Sequence, residues 1–392
     1  MTARCWAPAL GLQAATTQAA WVGARVMLGF RALELGAGPV YLGALAASFV
    51  LPALVLAVPV GRLADRRGSC SIMLVGVLGA ALGTAVALWP GSLVAVIVGS
   101  TAVGAGQLLI MVGQQTFTAR AGQQHGTDRS FGTLITAASV GQLVGPPLVT
   151  GAAALGRPLD APPDTGAGLL VCIGLVLLAT VVHPWLRAAE PVLAAPHPRR
   201  EAPAETGVGA RHDLRRLWPS LVVSGAVLVT MDLMYAFMPV WAAERGVSAT
   251  VVGYLLAVRA AVSVVSRLGL GRLVDAVGRR VLLVVSMSAA VAGLLALPVA
   301  DVPVAVVAMV GLGIGLGLPQ PLTMAWVVSL VEPRRHGAVL GLRLTVNRLA
   351  QVLLPLSVGA TAGAYGAAGV FWANAALLGG AVVVTARGRP DG

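Results

Sequence analysis

Three ionisable side chains stand inside long apolar stretches of this 392-residue chain: Arg25, Asp232 and Arg259. A charge in hydrocarbon costs a few kcal/mol or more, so each is a candidate for function. Counted inward from Glu34 at the helical rise, Arg25 sits about 13 Å deep, Asp232 about 18 Å below Glu244, and Arg259 about 13 Å into its own run. Arg25 and Asp232 are thus near the middle of a hydrocarbon core about 30 Å thick. Burial favours the protonated form of a carboxyl group, and a neighbouring guanidinium favours the ionised form. The chemistry this allows is reversible protonation. Ionised Asp232 pairs with Arg25, and proton uptake releases the pair. The alternative is a static Asp232–Arg259 pair, and the sequence leaves both open. No catalytic residue is assigned.

The elements that hold these groups at depth follow from composition. Hydrophobic residues make up 57% of the chain, charged residues 11%, and the mean hydropathy is +0.86. A soluble domain carries roughly 25% charge, so a water-facing globular enzyme is excluded. Apolar stretches fall at 8–33, 39–60, 70–90, 93–118, 130–154, 166–186, 218–243, 248–268, 280–300, 302–330, 339–363 and 366–386. They lack two-residue alternation and are long enough to cross a bilayer as helices. The expectation is an all-α integral membrane protein of twelve transmembrane helices, its first stretch retained rather than cleaved as a leader.

All 27 basic residues are arginine, which removes lysine chemistry, including a P-loop. Arg31, Arg157 and Arg245 fall on one side of the spans, Arg25 and Arg259 within them, and the rest on the other side. The positive-inside rule then puts both termini in the cytoplasm of a cell whose inner (plasma) membrane holds the chain. The net charge of +12 is therefore read as cytoplasmic loops facing the lipid bilayer, not as nucleic-acid binding. Cys5, Cys70 and Cys172 match no zinc or disulfide spacing, and neither metal nor cofactor is expected.

One polar segment, Arg187 to Arg216, with Pro191, Pro196, Pro198 and Pro203, has linker composition. It separates a six-helix bundle over 1–186 from a second over 218–392, with 187–217 as a cytoplasmic linker. The bundles repeat each other. At an offset of about 210, Glu34-x-Gly36 falls on Glu244-x-Gly246, Gly43 on Gly253, and Gly61-Arg-Leu-Ala-Asp65-Arg66-Arg67-Gly68 on Gly271-Arg-Leu-Val-Asp275-Ala-Val-Gly278. At 209, Gly132, Thr136, Gln142 and Pro146 fall on Gly341, Thr345, Gln351 and Pro355. Six spans per half is even, so the repeats insert in the same orientation. That architecture places a binding site near the midplane, between halves that rock.

The chain over its whole length resembles the major facilitator superfamily (MFS) of secondary transporters, and in detail its bacterial drug and metabolite exporters. The segment 61–68, read as a tight glycine turn, is similar to the family's gating loop between the second and third spans, and 271–280 to its degenerate copy. The resemblance implies that Asp65 docks on the start of the eleventh span, near Gly341 and Arg343, and stabilises an outward-open state. Ser69 and Cys70 depart from the pattern, which has basic residues there. Gly141, Gly145, Pro146 and Gly151 are similar to the Gly–Pro motif of the fifth span in proton-exchanging exporters. Ser100 stands where the exporter pattern has an arginine, which weakens direct transfer of the family's proton mechanism.

The resemblance further implies that the first, fourth, seventh and tenth spans line a central cavity. Candidates to meet a substrate there are Gln18, Gln107, Gln114, Tyr235, Gln320, Trp326 and Asn347. Helix–helix hydrogen bonding and interfacial anchoring are the competing roles for each. The expected function is proton-coupled efflux of a small organic molecule by a monomer. Metabolite uptake by the same fold and a non-transporting membrane sensor or scaffold are the alternatives, and no enzyme activity is expected.

Overall fold

The computed structural model of the chain describes residues 6–125, 127–158, 161–193, 210–330, 336–361 and 366–387. Among these there is no strand. The helices are α1 (Trp6–Glu34), α2 (Pro39–Arg67), α3 (Ser69–Ala87), α4 (Leu93–His125), α5 (Thr127–Ala154), α6 (Thr165–Leu178), α7 (His183–Leu193), α8 (Ala210–Arg245), α9 (Ala249–Val265), α10 (Leu270–Val277), α11 (Arg279–Ala296), α12 (Val302–Gly317), α13 (Pro319–Ser329), α14 (His336–Thr361) and α15 (Gly366–Arg387). Ten spans are long and apolar enough to cross a membrane, some formed by successive helices such as α6 with α7. The pair α9–α10, bent by 67°, makes an eleventh. The 29-residue α1 does not meet that measure, so the described residues give ten or eleven spans, close to the expected twelve.

Large apolar side chains point outwards. On α3, Val75, Leu78 and Leu82 are exposed, while Ile72, Met73, Gly76, Val77 and Ala80 are buried. The helix is apolar on every side, as a helix bathed in lipid must be. Its inner face is rich in small residues, because lipid gives helices no hydrophobic reason to associate and close approach has to supply the attraction.

The chain divides into two compact units. The first holds Met1–Ala37, Ser48–Arg200 and Ala242–Ala257. Within it, a Cβ on Gly83 would lie 2.8 Å from the Gly99 carbonyl oxygen, and one on Gly99 2.5 Å from that of Gly83, so the α3 and α4 backbones touch directly. Trp6, Leu10, Met73, Phe117 and Leu186 form an apolar core where α1, α3, α4 and α7 meet. The second unit holds Gly38–Ala47, Glu201–Trp241 and Val258–Gly392. Here a Cβ on Gly293 would lie 2.7 Å from the Ala308 carbonyl oxygen, and one on Gly313 2.8 Å from that of Arg259. The Trp241 indole donates to the Leu297 carbonyl at 2.8 Å.

The repeat is written into the backbone. Gly36 closes α1 at φ 77° with Ala37 N donating to Ala32 O (2.9 Å) and Gly36 N to Leu33 O (2.9 Å). Gly246 closes α8 at φ 65° with the same pair of bonds, Val247 N to Ala242 O and Gly246 N to Ala243 O. This is the Schellman closure, whose left-handed residue favours glycine. Gly68 and Gly278, at φ 90° and 81°, join α2 to α3 and α10 to α11 in one conformation.

Three sequence expectations change. The segment 61–68 is not a turn throughout: α2 stays helical to Arg67 and only Gly68 reverses the chain, because Leu63 and the buried Ala64 still pack inwards. The matching residues Leu270–Val277 form α10, set off from α9 by Gly269 at φ 75°. The polar connector is shorter than its composition implies. Helix α7 runs on to Leu193 with Leu186, Ala189 and Leu193 buried, and α8 already begins at Ala210; residues 194–209 lie outside the described residues.

Candidate functional site

In the first unit Arg25 is buried on α1, its guanidinium carbon 5.1 Å from the Trp21 ring centre and 5.4 Å from that of Phe49. Two aromatic faces offer a desolvated cation partial compensation. Two and three turns earlier, glutamines tie α1 to α4. Gln107 donates to Gln18 at 3.2 Å, and Gln114 to Gln13 at 3.2 Å and Thr17 at 3.3 Å. These amides join helices, the competing role anticipated for them. Ser100, at the position without the exporter arginine, shares a hydrogen bond with Ser48 of α2 and donates to the Ile97 carbonyl at 2.9 Å.

The Gly–Pro segment of α5 splits by role. Gly141 and Gly145 press on α1, at the Ala15 and Ala19 carbonyls. Gly151 has open space where a Cβ would go. The Pro146 carbonyl accepts from the Thr150 hydroxyl, one turn later, at 2.9 Å.

In the second unit the buried polar groups line up on α14. Arg343, Asn347 and Gln351 recur every four residues, which places them on one helix face. Each holds a different partner. Arg343 Nη2 donates to Thr323 Oγ1 at 3.1 Å and to the Gln320 carbonyl and side-chain oxygens at 3.4 Å, both on α13. Asn347 donates to Ser224 of α8 at 2.9 Å. Gln351 donates to Asp232 Oδ2 of α8 at 2.6 Å while accepting from Arg348 at 3.2 Å. Asp232 is 3% exposed. Arg259 Nη2 donates to the Tyr235 hydroxyl at 2.6 Å, and its guanidinium lies 5.4 Å from the centre of that ring. Trp326, on α13, is buried.

The structure therefore gathers Asp232, Asn347 and Gln320 along one polar stripe and sets Tyr235 with Arg259 beside it. Two members of the stripe, Arg343 and Gln351, were missed as site residues. The four-residue spacing through Asn347 was the signal that would have found them.

This arrangement has relatives. The family model of the Major Facilitator Superfamily matches residues 10–246 and again 221–391. The chain belongs to that superfamily. As a member it is a membrane transporter of the secondary type. No curated protein matches this transporter in sequence. Its fold is similar to a variant of the nucleoside transporter NupG (TM-score 0.77, 13% identity, covering 97% of this chain and 98% of that one). It is also similar to a bacterial homologue of the human lysosomal transporter Spinster (0.71, 14%, 98% and 96%) and to a POT family transporter crystallised with 5-aminolevulinic acid (0.75, 13%, 97% and 94%).

In this transporter the signature residues Asp65, Arg66 and Arg67 are exposed on the last turn of α2, and Asp275 is exposed on α10. Ser69 and Cys70, which depart from the family pattern, have a structural task. Glu190 of α7 accepts from Ser69 N and Ser69 Oγ at 2.5 Å, from Cys70 N at 3.2 Å, and from Arg120 of α4 at 3.4 Å. A carboxylate from another helix thus satisfies the open amides at the start of α3. In the sequence Glu190 falls within the Arg187–Arg216 linker segment, where nothing in its neighbours marks it as a cap.

Proposed function

We propose that this transporter exports a small organic molecule in exchange for protons across the cell's inner membrane, and that Asp232 is the group that takes up the proton. What carries the reading is the buried Asp232 carboxylate, held at 2.6 Å by the neutral amide of Gln351. The amide fixes the orientation of the carboxylate from α14, so a change at Asp232 is passed to that helix. Arg25 is the proposed competitor for the ionised carboxylate during the cycle, and Arg259, engaged by Tyr235, holds α9 to α8. The resemblance of the Gly141–Pro146 segment to the Gly–Pro motif of proton-exchanging exporters supports export. Asp65, Arg66, Arg67 and Gly68, with Gly271, Asp275 and Gly278, are the proposed gating elements on the cytoplasmic side. The transporter is proposed to act as a monomer with both termini cytoplasmic.

The test is transport in proteoliposomes under an imposed pH gradient, with a compound panel on wild type and Asp232→Asn. Uphill movement is expected to vanish in the variant while downhill exchange continues. Full proton-driven transport by Asp232→Asn overturns the assignment. Accumulation driven in the opposite sense favours uptake.

A further inference from the structure

The second unit contains a buried cation whose partners among the described residues are all neutral. Arg343 is 6% exposed, and among the described residues its Nη2 meets Thr323 Oγ1 and the two oxygens of Gln320. Among the described residues its buried Nε meets no acceptor, and neither does Nε2 of the touching Gln320. Removing a guanidinium from water without a counter-charge is among the costlier things a fold can do. An isolated unmet donor also costs free energy. Here two unmet donors belong to side chains already in contact. The carboxylate on the same stripe, Asp232, is bound two turns further along α14, about 12 Å away at the helical rise.

We infer that Arg343 Nε and Gln320 Nε2 bind an oxyanion, a carboxylate or phosphate carried by the transported molecule. The inference rests on the transport reading and adds the substrate class: organic anions. A guanidinium N–H and an amide N–H₂ on touching side chains can donate to two oxygens of one group, which selects carboxylate and phosphate over halide. Thr323 completes the support from behind, since its hydroxyl accepts from Arg343 and donates to the Pro319 carbonyl at 2.7 Å. Asn347, one turn along, faces the same stripe with an unmet Oδ1, an acceptor for a hydroxyl or amine of the same molecule.

The test uses the full-length chain purified in mild detergent, with inorganic phosphate and benzoate as probes and chloride at matched ionic strength as control. Both probes are expected to raise the thermal unfolding midpoint of wild type saturably. Arg343→Gln is expected to lose the effect, Gln320→Met to need about tenfold more probe, and Arg343→Lys to fall between them, as expected when one charge-assisted bond is removed. Size-exclusion profiles select variants that fold, and Gln320→Met keeps the test open if Arg343→Gln does not. Equal stabilisation in wild type and Arg343→Gln overturns the inference. So does stabilisation by phosphatidylglycerol alone, which would make the occupant a lipid headgroup. No saturable effect in wild type also overturns it, since the donors then answer to water. Proteoliposomes separate this failure from failure of the transport reading. If benzoate neither binds nor competes while another compound moves with protons, only the anion site fails. If nothing moves but wild type still binds the probes, the transport reading fails, and the anion site stands without its assignment to a substrate.

Discussion

Replacing Glu190 with alanine tests how α7 is fastened to the start of α3. The carboxylate accepts from two backbone amides, one hydroxyl and one guanidinium. A hydrogen bond to a charged group contributes about 1.5–3 kcal/mol when buried. A negative charge at a helix start adds about 0.3–1 kcal/mol. The Glu190 side chain is 15% exposed and that of Arg120 24%, so water re-enters part of the vacated space. The expected cost is therefore about 2 kcal/mol, well below the sum of the bonds taken singly. Ser69→Ala removes only the hydroxyl bond and is expected to cost about 1 kcal/mol. Because both changes break that bond, the double variant is expected to fall short of the sum by about 0.5–1 kcal/mol. Unfolding in mixed dodecylmaltoside and dodecyl sulfate micelles, followed by tryptophan fluorescence, measures all four proteins. A Glu190→Ala variant within about 0.5 kcal/mol of wild type, or strict additivity with Ser69→Ala, refutes the reasoning.

Gly83→Leu is expected to prevent assembly of α3 with α4, since even a Cβ there meets the Ala102 methyl at 2.7 Å and a carbonyl oxygen at 2.8 Å; the yield of monodisperse protein reports it. Gly141→Ala should lose stability against α1 while Gly151→Ala, with nothing within 4 Å, leaves the unfolding midpoint unchanged. Tyr235→Phe deprives the buried Arg259 of its 2.6 Å acceptor and is expected to destabilise by about 1–3 kcal/mol in the same micelle titration. Gly278→Ala forces a side chain into a backbone region with φ 81° and ψ 153°, at a cost of about 1–3 kcal/mol, while Gly271→Ala is expected to be silent.

The span number, to within one or two, and the repeat were legible because both are governed by local chemistry. Apolar length dictates a span, and Gly36 and Gly246 each stand where a helix needs a left-handed residue to close. Breaks inside spans were not legible. Helix α6 ends at Leu178 and α7 resumes at His183, and the joint between them, Ala179-Thr-Val-Val182, is itself mostly apolar, so hydropathy does not mark it. Burial was legible for Asp232, Arg25 and Arg259, because a charge in an apolar run is conspicuous. Partners were not. Gln351 reaches Asp232 and Glu190 reaches Ser69 across 119 and 121 residues of sequence, and neither acts through a neighbour in the chain. Arg343 escaped notice as a site because it stands near the start of its span, where an arginine ordinarily answers to the lipid surface.

The α3–α4 packing has a mechanical consequence. Where Gly76, Gly83, Gly99 and Gly106 bring main chain against main chain, no side chain is available to change rotamer and absorb a displacement. Those two helices must travel as a single stiff plank. Any bending during a work cycle is left to places with slack, such as Gly61, Gly132, Gly151, Gly271 and Gly341, around which a built Cβ meets nothing. Stiffness in this molecule is thus distributed by glycine in two opposite ways: pressed against a neighbour it welds, and standing clear it leaves a joint.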